Sequence, residues 1–168
     1  MQLQYNFHIF EQTSLNRNAQ YKYKTMNYIS ILIFTALVMY IIIRYGVQRS
    51  ISHSYYIKRN TAAFSVALCL FSFFAVLHNP HYLIIIAASG IVLVAAFADY
   101  RATKLYEVIH YAGAVIGIGS GMAYVALFIS PIFLISFALM SILLIIFVRR
   151  TFIFWIELIA FYIIILCA

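Results

Sequence analysis

From residue 28 onward the chain is a succession of apolar runs separated by short polar breaks. The runs fall at 28–47, 61–77, 82–98, 109–128, 131–148 and 152–168. Each has about 17–20 residues, near the length a helix needs to cross a hydrocarbon core of about 30 Å. None alternates with a period of two or breaks at a turn every ten residues or so, which favours helices over a barrel. The expected fold class is therefore all-α: a polytopic membrane protein, built as a bundle of six transmembrane helices with short loops. Pro80 and Pro131 fall at run edges, where a missing N–H costs least. No internal repeat is visible.

Residues 1–25 break this pattern. They are polar, carry Arg17, Lys22 and Lys24, and show no helical period. They also lack the apolar core of a cleavable signal peptide. Met26 then opens MNYISILIF, an ordinary start for a first span. The tail reads either as an upstream extension, with Met26 the natural start, or as a genuine tail without fixed structure.

Composition narrows the class. The chain is 66% hydrophobic and 9% charged, whereas soluble domains are about half apolar and a quarter charged. The net charge of +7 would suit a nucleic-acid partner if it covered one soluble face. Here the basic residues form short blocks between apolar runs, so no nucleic acid is expected. The blocks read as topology signals and as contacts to anionic lipid headgroups. Arg44, Arg49, Lys58, Arg59, Arg101, Lys104, Arg149 and Arg150 mark one side of the membrane; the opposite loops, His78–His81 and Ser130–Pro131, have no Lys or Arg. The positive-inside rule then places the basic connections inside a cell membrane and both termini outside.

Candidate polar chemistry gathers on that inner side. Glu157 lies about 8 Å into the last span, where a carboxylate must be neutral, hydrated or paired. Arg44 and His110 are its candidate partners. Ala88, Ala95 and Asp99 share a face of the third helix at about 100° per residue, so Asp99 and His110 are expected to meet across the hairpin, with Glu107 one turn before His110. The 48–60 linker, QRSISHSYYIKRN, brings Arg49, Ser50, Ser52, His53, Ser54, Tyr55, Tyr56, Lys58 and Arg59 to the same side. With Arg149 and Arg150, this set suits a phosphate headgroup. Gly113, Gly117 and Gly121 form a GxxxGxxxG ridge, the spacing that lets another helix backbone come close.

Other features carry little chemistry. Cys69 and Cys167 read as buried small hydrophobes. His78 and His81 lie on the outer side, far from His110, and two histidines are a weak ligand set. No catalytic residue, metal ligand or cofactor is assigned, and no catalytic motif occurs.

The stretch FADYRATKLYEVIHYAGAVIG, residues 97–117, resembles small six-span membrane proteins of DRAM and Sfk type and their bacterial relatives. There an acidic residue ends one span and an HY-small-Gly-Ala pattern begins the next; Asp99, His110, Tyr111, Gly113 and Ala114 match. The resemblance implies a six-helix bundle, pairs Asp99 with His110, and implies no reaction. Three function classes follow. The first, preferred because few polar groups line the spans, is a membrane-embedded accessory or structural protein. The second is a small transporter or proton/ion conduit using Asp99, His110 and Glu157. The third is an enzyme acting on lipid headgroups, though enzymatic activity is not favoured. The sequence leaves open a homo-oligomer or a membrane-protein partner.

Overall fold

The computed structural model describes residues 28–56 and 61–167. The expectations for the 1–25 tail, for Met26, and for Lys58 and Arg59 lie outside the described residues, as does the side chain of Tyr56.

Among the described residues the protein is all-α. Six helices run α1 (Tyr28–Tyr45), α2 (Thr61–His78), α3 (Tyr82–Ala96), α4 (Lys104–Tyr124), α5 (Pro131–Phe147) and α6 (Phe152–Cys167). A single 3₁₀ turn, Ser52–Tyr56, lies between α1 and α2, and a π turn, Val125–Ile129, extends α4. Two helices, Tyr28–Tyr45 and Lys104–Ile129, are long and apolar enough to cross a membrane by length and composition; the other four are shorter apolar helices.

Local chemistry explains most boundaries. Gly46 ends α1 at φ 74, a conformation glycine adopts without a Cβ penalty, and its N–H reaches the Ile42 carbonyl at 2.9 Å. The Thr103 side chain accepts the Tyr106 N–H and caps α4. That cap starts α4 at Lys104, five residues before the expected 109. α3 stops at Ala96 rather than 98: Phe97 still bonds its N–H to the Leu93 carbonyl, but its backbone leaves the helix at φ -107, ψ 34. Ser130 caps α5, with Pro131 at its first turn.

The α3–α4 hairpin is the most closely packed pair of helices. Gly90 faces the α4 backbone so closely that a Cβ on it would sit 2.6 Å from the Gly113 carbonyl. A Cβ on Gly113 would meet the Gly90 carbonyl at 2.8 Å. Gly121, the third residue of the ridge, faces a different neighbour, the Ile164 side chain of α6. The larger core continues from this contact through Ile91 and Val94 of α3 to α1, α2 and α6. Phe34 of α1 is fully buried against Phe71 of α2 and Phe161 of α6, with ring centroids 5.5 and 4.9 Å apart. Thr35 and Tyr162 add an α1–α6 hydrogen bond of 2.8 Å. α5 contributes no buried residue and lies along α6 and the π turn. Cys69, expected to be buried, is exposed on α2, and Cys167 is partly buried.

Candidate functional site: a basic cleft between α4, α6 and the first linker

α4 and α6 both begin at the end of the bundle that carries the arginines. They touch where Gly121 meets Ile164. Toward their N-termini they part, and the linker after α1 folds into the gap. A cleft of about 240 Å³ results, walled by Arg49, Ser50, Ser52 and His53 of the linker, Tyr100 and Arg101 of the α3–α4 loop, His110, Tyr111 and Ala114 of α4, and Ile153 and Glu157 of α6.

Glu157 holds the linker in place. Its Oε2 accepts the Ile51 N–H at 2.7 Å, and the Ser52 N–H also bonds the carboxylate. The Phe154 N–H, in the first turn of α6, donates in return to the Arg49 carbonyl at 3.2 Å. Ile51 itself is buried at 2% exposure and plugs into the main core. The expected partners of Glu157 are therefore corrected. Arg44 is exposed, and the carboxylate is satisfied by main-chain donors of the linker.

The Asp99–His110 contact is corrected as well. His110 is buried at 2% exposure, as its place beside the glycine ridge predicts, but its Nδ1 lies 3.1 Å from the Phe97 carbonyl. That carbonyl is left over at the end of α3, so the imidazole acts as a side-chain cap. Tyr100 covers the ring, with centroids 4.6 Å apart. Asp99 is exposed, and its carbonyl accepts the Ala102 N–H at 3.0 Å. Ending α3 at Ala96 takes Asp99 off the helical face on which it was counted. Glu107 also leaves the expected polar cluster: it pairs with Lys104 at 2.9 Å on the surface.

The basic residues sort into two groups. Arg49 and His53 line the cleft with Ser52, as expected for headgroup contacts. Arg149 and Arg150 line an adjoining open groove with Arg49, Phe152 and Ile153. Arg101 is the basic residue that sequence reasoning left out of the site. Its Nη2 lies 3.1 Å from His53 Nδ1, and its guanidinium sits 5.9 Å from the Tyr100 ring centre. A guanidinium only donates, so Nδ1 of His53 accepts and Nε2 carries the proton. Burial pushes the His53 pKa down, and the charges of Arg101 and Arg49 push it further. Burial also pushes the Tyr100 phenol up, against the pull of Arg101.

At the opposite end of the bundle, His81 caps α3 through the Leu83 N–H and packs on Tyr124 and Phe128. Among the described residues no group of three or more His, Cys, Asp or Glu side chains could hold a metal ion. No family model, characterised protein or solved structure matches the chain.

Proposed function

We propose that the protein is a six-span membrane protein that holds an anionic ligand in the cleft at its basic, inner-facing end. The observation that carries this is the cleft itself, where Arg49, His53 and Arg101 surround open space above His110 and Glu157. These side chains bond to one another and to the main chain, yet the cleft between them stays open, with about 240 Å³ of space for a guest. The continuous apolar character of all six helices supports the six-span reading, with the shorter helices meeting the bilayer through the aromatic and basic residues at their ends. The resemblance to small six-span proteins rests on its own residues and adds the span count.

The conduit reading fares less well. Beyond Glu157 and Ser52 the interior narrows to a void of about 20 Å³, walled by Phe64, Leu68, Ile91, Ile118 and Phe161 among others. A charge leaving the cleft in that direction meets aromatic and aliphatic side chains. The lipid-enzyme reading lacks a nucleophile activated by a base: the cleft serines are Ser50, whose Oγ accepts the His53 N–H at 3.0 Å, and Ser52.

Cysteine labelling tests the reading. In a variant with Cys69 and Cys167 replaced by serine, Ser52→Cys is expected to react with a membrane-impermeant thiol reagent only from the inner side. Asn79→Cys should react only from the outer side. An unreactive Ser52→Cys in folded protein would return the cleft to a structural role, and labelling of both positions from one side would overturn the span count.

A further inference from the structure

The groups facing the cleft are mostly donors. Arg49 and Arg101 bring two guanidinium forks. The Arg101 contact fixes His53 as the Nε2–H tautomer, a third N–H donor. Ser50, Ser52, Tyr100 and Tyr111 add hydroxyls. The one carboxylate is already engaged by the Ile51 N–H, through Oε2, and by the Ser52 N–H. A guest that complements such a wall brings several acceptor oxygens and negative charge.

The charge balance narrows the guest. Two permanent cations face one carboxylate in the cleft, and Arg149 and Arg150 extend the positive field along the adjoining groove. A terminal phosphate, with a charge of about −1.5 to −2 at neutral pH, matches this. A diester that continues into an ammonium group would set a cation against the arginines.

The walls also have an apolar exit. Ala114 and Ile153 line the cleft between α4 and α6, and Ile153 is 44% exposed. Tyr111 forms the α4 rim at 53% exposure, and Val115, one turn further along the same face, is 72% exposed. The gap between the two N-termini thus continues into an apolar seam on the outside of the bundle, which a free phosphate would not need.

Building on the proposed function, we infer that the cleft binds an amphiphile whose head ends in a phosphate. The phosphoryl oxygens lie against Arg49, Arg101 and His53 Nε2–H, and the chain leaves along the α4–α6 seam over Ile153 and Tyr111.

The test is lipid binding to the full-length protein in detergent, read by native mass spectrometry. The probes are dioleoyl phosphatidate and dioleoyl phosphatidylcholine, with glycerol 3-phosphate as a soluble competitor. Phosphatidate should be retained about tenfold over phosphatidylcholine, the ratio expected from roughly one charge-assisted contact of about 1.4 kcal/mol. Glycerol 3-phosphate at equal concentration should leave it bound. Arg101→Gln should remove most of the preference, by about tenfold on the same grounds. The Arg149→Gln, Arg150→Gln double variant should reduce it by less than about threefold, because rim charges are screened. Displacement by glycerol 3-phosphate would overturn the amphiphile and make a soluble phosphate ester the ligand. Equal retention of phosphatidylcholine would overturn the inference while the cleft reading stood, since that reading falls on the Ser52→Cys labelling. A preference lost in the double variant and kept in Arg101→Gln would move binding to the surface groove and overturn the assignment.

Discussion

Glu157 of α6 accepts the backbone N–H of Ile51 at 2.7 Å across 106 positions of sequence. Together with the Phe154 N–H to Arg49 carbonyl bond, this makes the first linker a structural part of the last helix. Replacing Glu157 with leucine would leave the Ile51 and Ser52 N–H groups without their acceptor. The expected loss is about 2 kcal/mol or more, at 1–3 kcal/mol for each stranded group. Glu157→Gln keeps one acceptor oxygen and should lose less than about half of that. Thermal unfolding of both variants in detergent checks the order.

The glycines separate into crowded and open sites. At Gly90 a methyl group would run into the α4 backbone, which cannot rotate away. Gly90→Ala should cost about 1–3 kcal/mol by overpacking. Nothing lies within 4 Å of a Cβ at Gly119, so Gly119→Ala should be neutral or stabilising by up to about 1 kcal/mol. The same unfolding measurement on the pair separates close packing from a general dislike of substitution in the α3–α4 hairpin.

His53 gives the fold a pH dependence whose sign can be stated. Burial, Arg101 and Arg49 lower its pKa in the folded protein, so the unfolded chain binds the proton more readily. Its contribution is fully present above about pH 6.5, the unfolded value, and is lost as pH falls below that. Glu157, His110, Tyr100 and Tyr111 face the same cleft, so the wild-type curve is composite. The difference between wild type and His53→Gln should shrink as pH is lowered from 7.5 to 5.5. A constant difference would show that neither burial nor the two arginines lowers the His53 pKa.

His110 is expected to matter through one bond. His110→Phe keeps a ring for Tyr100 to cover and strands the Phe97 carbonyl. A loss of about 1–2 kcal/mol follows, near the value for an unsatisfied buried acceptor. Hydrogen exchange should locate it, with faster exchange at the amides of the last turn of α3 before the rest of the bundle responds.

The legible parts of this protein were those written in side chains. The run lengths anticipate the six helices, and angular counting anticipates the Gly113–Gly117 contact face and the inward His110. Depth alone marks Glu157 as a residue that needs a partner. The partner escaped because it is main chain: the amides of Ile51 and Ser52 have no letter of their own, and nothing near residue 51 signals a turn that returns to α6. Gly90 escaped for the opposite reason. It stands alone in AASGIVL, and its meaning appears only when α4 brings Gly113 and Gly117 against it. Asp99 and Arg101 changed places because Phe97 and Ala98 unwind. A helix carried through to residue 98 would present Asp99 inward, whereas the turn from Asp99 to Ala102 exposes Asp99 and lays Arg101 beside His53.

α5 has no buried side chain, yet it separates α4 from α6 in sequence and sets where α6 begins. Its demands on amino-acid identity are few: an apolar composition, seventeen residues of helix, and a turn at each end. Such a segment is a spacer, and it can drift. Selection acting on the cleft would tolerate exchange of Ile, Leu, Phe and Met along α5 almost freely. It would resist insertion or deletion there, because one residue more or less moves the end of α5 by about 1.5 Å and turns its exit by about 100°, which displaces the turn from which α6 and Glu157 start.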